Sequence, residues 1–123
     1  FDIPFDCRIN GNISLLNSAI LNLIKNSVAY SKGTNMRLEK IGENDTSYTF
    51  RFYDNGTGVE EEHIPYLFDR FYRIDAGRSR KVGGTGLGLP IVKNTIRTLG
   101  GKITVRNRHE GGLEFIFTLP KAR

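Results

Sequence analysis

Between residues 48 and 53 the chain alternates Tyr48, Phe50 and Phe52 with Thr49, Arg51 and Tyr53, the two-residue period of a strand that lays one face on a core. Upstream, Leu16, Ala19, Ile20, Leu23 and Ser27 recur at helical spacing and predict an amphipathic helix over 15–30. A second stripe, Leu89, Val92, Ile96 and Leu99, predicts a helix over 87–99 that stops at Gly100-Gly101. Shorter apolar runs predict strands over 5–9, 36–41, 102–108 and 113–119, the last two closing a hairpin, with a turn at Asn44-Asp45 and a short helix near 61–67. Elements in this order predict an α/β fold, a two-layer sandwich of a mixed five-stranded sheet covered by about three helices.

Composition adds few constraints. A length of 123 residues with 38% hydrophobic and 25% charged residues predicts one domain with a single core. No apolar run approaches a membrane span, so no direct membrane contact is expected of this domain. The single cysteine, Cys7, excludes an internal disulfide framework and suits a reducing compartment such as the cytoplasm, leaving open a membrane anchor elsewhere in a longer protein. A formal net charge of +5 raises the question of nucleic acid. The cations concentrate instead in one loop, as Arg73, Arg78, Arg80 and Lys81, and no nucleic-acid partner is expected.

That loop leads into Gly83-Gly84-Thr85-Gly86-Leu87-Gly88-Leu89, which opens the second helix. Glycines at a helix start let backbone N–H groups approach an anion, and the helix dipole adds positive charge there. A polyphosphate matches both features, although many glycine turns only cap or pack a helix. No Lys-Ser/Thr follows a Gly-x-x-x-x-Gly frame, and Leu89 stands where the dinucleotide fingerprint needs a third glycine. Residues 74–83 hold few apolar side chains and are expected to act as a flexible lid, ordering only when phosphate is bound. A second glycine turn, Asp54-Asn55-Gly56-Thr57-Gly58, follows the alternating strand. Its plain reading is a turn in which Asp54 bonds its own backbone; its functional reading is a carboxylate that accepts from an amino group such as adenine's, with Gly58 leaving room for a flat ring. Asn22 and Asn26 lie four residues apart on one flank of the first helix, either as a solvated edge or as amide oxygens offered to Mg²⁺.

Together these residues resemble the ATP-binding catalytic domain of sensor histidine kinases, within the GHKL group that also holds gyrase, Hsp90 and MutL ATPases. The N box is similar to Asn22-Leu23-Ile24-Lys25-Asn26-Ser27 and the first glycine box to Asp54-Asn55-Gly56-Thr57-Gly58. The F box is similar to Phe68-Asp69-Arg70-Phe71 and the second glycine box to Gly84-Thr85-Gly86-Leu87-Gly88-Leu89. The resemblance implies that Asn26 ligates Mg²⁺, with Asn22 beside it near the phosphates as a second metal-site residue. It implies that Asp54 reads the adenine amino group beside Gly56 and Gly58, and that Arg73 contacts the triphosphate. Tyr30 and Tyr72 would line the pocket, and Gly84, Thr85, Gly86, Leu87 and Gly88 would form the second nucleotide-binding box.

Two positions depart from the family pattern. Ala29 stands where relatives place a basic residue against phosphate, and Lys32, Arg78, Arg80 or Lys81 would have to replace it. Pro90 falls in the first helical turn, where its missing N–H costs nothing. The hydrolytic members resemble one another in carrying a Glu, a general base, four residues before the metal-binding Asn; this chain has Asn22, whose amide cannot take a proton. The expected activity is therefore transfer of the γ-phosphate from Mg-ATP to a histidine, with Asn22 and Arg73 acting by position and charge. Neither His63 nor His109 resembles the phosphoacceptor, and both read as surface histidines. An excised catalytic domain spanning 1–123 is thus expected. Its partner would be a phosphoacceptor histidine domain of the same or a paired chain, with a response regulator served indirectly. A self-sufficient GHKL ATPase and a degenerate docking module are the alternatives.

Overall fold

The structure, a computed structural model, describes residues 13–28, 35–70 and 88–121. Helix α1, Ile13–Asn26, has neither Gly nor Pro in its span. It turns Ala19 and Leu23 fully inward, and Leu16 and Ile20 partly, as the stripe predicts. Strand β1, Met36–Glu43, and strand β2, Ser47–Asp54, pair antiparallel. The pairing shifts register between Lys40 and Gly42, so the pairing continues beyond the expected end at 41 as far as Glu43. The segment expected as a short helix is a 3₁₀ helix, Glu61–Tyr66. Pro65 has no N–H for an α-helical ladder, which explains the tighter turn.

Helix α2, Gly88–Thr98, buries Leu89, Val92 and Ile96, with Leu99 just past its end. The Gly101 N–H closes back on the Ile96 carbonyl at 2.8 Å and the Gly100 N–H on that of Arg97 at 2.9 Å, ending the helix at the predicted glycines. Strands β3, Ile103–Asn107, and β4, Leu113–Pro120, form the closing hairpin.

The sheet corrects one expectation. Among the described residues it is four-stranded, in the order β1-β2-β4-β3, and every pairing is antiparallel rather than mixed. The crossover through α2 does leave β2 and β3 running parallel, but β4 lies between them, so the two never pair. The fifth strand expected over 5–9, and the lid over 74–83, lie outside the described residues.

Alternation on β2 and β4 separates the two faces. Inward, Phe50 stacks on Phe117 with centroids 5.4 Å apart, and Phe52 meets Phe115 at 6.5 Å, under both helices. On the other face Glu39 pairs with Arg51 at 2.6 Å, and Arg51 with Glu114 at 3.1 Å, while Arg106 covers the other oxygen of the same carboxylate. Glu114 is buried although it faces away from the core, because these two guanidiniums close over it. Its partner Arg51 is held above its ordinary pKa, chiefly by the hydrogen bond to Glu39.

Candidate functional site

Strand β2 ends on Asp54, which falls on the inner face and is 1% exposed, more deeply buried than a turn residue need be. Its Oδ1 accepts from the Gly56 N–H at 2.9 Å, the local turn that an Asp-Asn-Gly sequence predicts. The same oxygen accepts from the Leu113 N–H at 3.3 Å, and Oδ2 accepts from the Ser27 hydroxyl at 2.8 Å. The carboxylate thus joins β2 to β4 and to the end of α1. Ser27 is fully buried, directly follows Asn26, and lies in a wider π-type turn with Val28. Single turns of this kind recur where a helix is locally shaped for a site.

The Asn22 Nδ2 donates to the Ser18 carbonyl one turn back, at 2.9 Å. Its Oδ1 lies against the start of α2, where a β-carbon added at Gly88 would be 3.6 Å away. Asn26 is half-buried and Lys25 exposed. Helix α1 therefore reaches the first residue of α2 through Asn22 and the end of β2 through Ser27. Asn22 thus stands beside Gly88, and Ser27, next to Asn26, is bonded to Asp54. Phe68 of the F box lies edge-on to Phe115 at 6.2 Å, fastening that segment to the core, while Asp69 and Arg70 are exposed.

Sequence reasoning missed what holds the first glycine turn. It packs backbone to backbone on the β3–β4 turn. The Asn107 side chain accepts from the Val59 N–H at 3.0 Å and donates to the Val59 carbonyl at 2.6 Å and to Glu61 Oε1 at 3.0 Å. Arg108 Nη1 donates to the Asp54 carbonyl at 2.8 Å and to that of Gly111 at 3.1 Å. Gly58, at φ +70°, has no room for a side chain: a β-carbon there would stand 2.5 Å from Asn107 Oδ1. The space expected for a flat ring at that glycine is taken, on that side, by Asn107. Gly112, at φ +88°, brings its α-carbon against the Asp54 carbonyl and carboxylate, where any β-carbon would collide. Gly111-Gly112, separated by two residues from the polar pair Asn107-Arg108, was the available signal.

Of the remaining expected residues, Tyr30, Tyr72, Arg73, Gly84, Thr85, Gly86 and Leu87 lie outside the described residues, as do Ala29, Lys32, Arg78, Arg80 and Lys81. His109 is exposed as expected, whereas the His63 side chain is only 16% exposed.

A sheet layered under two helices, with a buried strand-end carboxylate meeting an asparagine-bearing helix, makes this a two-layer α/β domain. The chain belongs to the histidine kinase-, DNA gyrase B- and HSP90-like ATPase family (HATPase_c), whose model matches residues 11–123. It is 40% identical to the phosphate regulon sensor protein PhoR of Haemophilus influenzae over 122 residues, 98% of this chain and 28% of that protein. It is also 40% identical to the sensor protein SrrB of Staphylococcus aureus over 106 residues, 86% of this chain and 18% of the relative. The chain thus spans less than a third of the length of these relatives. The ATP binding domain of PrrB from Mycobacterium tuberculosis superposes with a TM-score of 0.72 at 26% identity, over 94% of this chain and 73% of that one. Among the described residues no helix is long and apolar enough to cross a membrane.

Proposed function

We propose that this chain binds Mg-ATP and donates its γ-phosphate to a histidine on a separate dimerisation domain, as the catalytic domain of a two-component sensor histidine kinase. The observation that carries the reading is the Ser27–Asp54 hydrogen bond. It ties the adenine-reading carboxylate to the residue next to Asn26, so base and phosphates are addressed from one joint. Family membership and the sensor names of the relatives support it. Asp54 accepts from the adenine amino group. Asn26 and Asn22 suit Mg²⁺, because their amide oxygens are hard neutral ligands and Asn22 Nδ2 is already spent on Ser18, leaving its oxygen for the site. When bound, the metal neutralises phosphate charge.

Arg73 and the box at Gly84, Thr85, Gly86, Leu87 and Gly88 hold the triphosphate, while Tyr30 and Tyr72 flank the base. Asn22 in place of an acid leaves the domain without a base to activate water, so ATP is held for a histidine rather than hydrolysed. The acceptor domain and, through it, a response regulator are the partners. The domain works in the cytoplasm, beside an acceptor domain of the same or a paired chain. Calorimetry with Mg-ATP and Mg-GTP, followed by transfer of radiolabelled γ-phosphate to a separately produced histidine-bearing dimerisation domain, tests this. ATP preferred over GTP and a labelled acceptor are expected. Steady ATP turnover by the chain alone would mark an ATPase, and failure to bind adenine nucleotides a docking module.

A further inference from the structure

The β3–β4 turn does more than join two strands, since its side chains leave it to hold another loop. Asn107 takes both backbone groups of Val59, as a neighbouring strand would, and closes the far end of the first glycine turn. Arg108 holds the near end at the Asp54 carbonyl. Its guanidinium is itself fixed: it lies 4.3 Å from the Tyr53 ring centroid, its Nη2 pairs with Glu110 at 3.3 Å, and its side chain is 16% exposed. The Leu113 N–H that reaches Asp54 Oδ1 belongs to the first residue after this turn. Movement of the turn would therefore shift the carboxylate directly, through both its main chain and its side chain. We propose that Asn107 and Arg108 are positioning residues for nucleotide selection, setting where the Asp54 carboxylate stands and hence how well adenine is told from guanine. The inference rests on the reading of Asp54 given above.

The test compares Mg-ATP and Mg-GTP affinities by calorimetry in the 123-residue chain and its variants, with thermal midpoints alongside. Asn107→Ala and Arg108→Ala should each weaken ATP about tenfold, the effect of one lost buried hydrogen bond to a positioned group, with little change in GTP, so that the ATP:GTP ratio falls. Arg108→Lys, which keeps the charge and one donor, should restore much of that ratio. Arg106→Ala is the control: its guanidinium bonds the Glu114 carboxylate rather than the glycine turn, and it should leave the ratio unchanged whatever it does to stability. An unchanged ratio in both alanine variants, or an equal fall with Arg106→Ala, overturns the proposal. If Arg108→Ala does not fold, Arg108→Lys carries the same comparison, an intermediate ratio supporting and an unmodified ratio overturning it. Asp54→Asn measured in parallel separates the two levels. Equal ATP and GTP affinities in the unmodified chain defeat the reading of Asp54 itself. A ratio lost in Asp54→Asn and kept in the turn variants defeats only the role of Asn107 and Arg108.

Discussion

The two hairpin turns of this sheet use the same kind of residue for opposite ends. In the β1–β2 turn Asn44 bonds locally: its Oδ1 accepts from the Thr46 N–H at 2.9 Å and the Ser47 N–H at 2.8 Å, and its own N–H donates to the Ser47 carbonyl at 3.0 Å. In the β3–β4 turn the backbone closes itself, Arg108 N–H to the Gly112 carbonyl at 2.8 Å and Gly111 N–H to that of Arg108 at 3.1 Å. Asn107 and Arg108 are thereby released to bond residues 59 and 54, 48 and 54 positions away in sequence. A turn that spends its polar side chains on itself supports the sheet. One whose glycines supply the bend, and whose side chains also reach another loop, can build a site.

The largest effect is expected at the glycine that makes the second arrangement possible. Gly112→Ala forces a β-carbon into the Asp54 main chain at a positive φ, and should cost roughly 2–4 kcal/mol of stability together with most nucleotide binding. Urea denaturation and calorimetry read the two losses; a variant that keeps both would show the turns are not as different as their geometry says. Next comes Asp54→Asn. The amide oxygen can keep the Gly56 and Leu113 N–H bonds while the Ser27 hydroxyl turns to accept from the new amino group, so the fold survives. Facing the adenine amino group, however, donor then meets donor, and ATP affinity should fall roughly 10–100-fold, with GTP gaining relative to ATP. Undiminished ATP binding would remove the carboxylate from base recognition.

Asn44→Ala should behave in the contrary way, lowering stability by about 1 kcal/mol as its local bonds are lost, with ATP affinity unchanged. A nucleotide effect there would erase the contrast between the turns. The smallest effect concerns acid, at the end of β1 beside the Asn44 turn. The Lys121 ammonium first, at 2.6 Å, and Lys40 second, at 3.2 Å, hold the Glu43 carboxyl below its ordinary value. A depressed folded-state pKa contributes stability that is complete above the unfolded carboxylate value and is lost as pH falls through the folded one. Glu43→Gln should thus barely move the thermal midpoint at neutral pH and should slightly flatten its decline below about pH 4.5, the ordinary carboxylate value. A steeper acid decline in the variant would contradict this sign.

Much of this molecule is local and was legible as such. The stripe Ala19, Leu23 and Ser27, the alternation Tyr48, Phe50 and Phe52, and the stop at Gly100-Gly101 each declare which side faces inward within a few residues, and all face the core or end the helix as expected. The four boxes identified the family for the same reason, since each is a run of neighbours in sequence. Periodicity says which face is buried, never against which strand it is buried. The insertion of β4 between β2 and β3, the Ser27 hydroxyl on Asp54 from 27 residues away, and the clasp of Asn107 and Arg108 on the glycine turn were decided only by tertiary structure. Gly58, read in the sequence as leaving room for a flat ring, has Asn107 Oδ1 against the place where a β-carbon would stand, because a polar side chain has a wide choice of partners and only the packing of distant strands selects one.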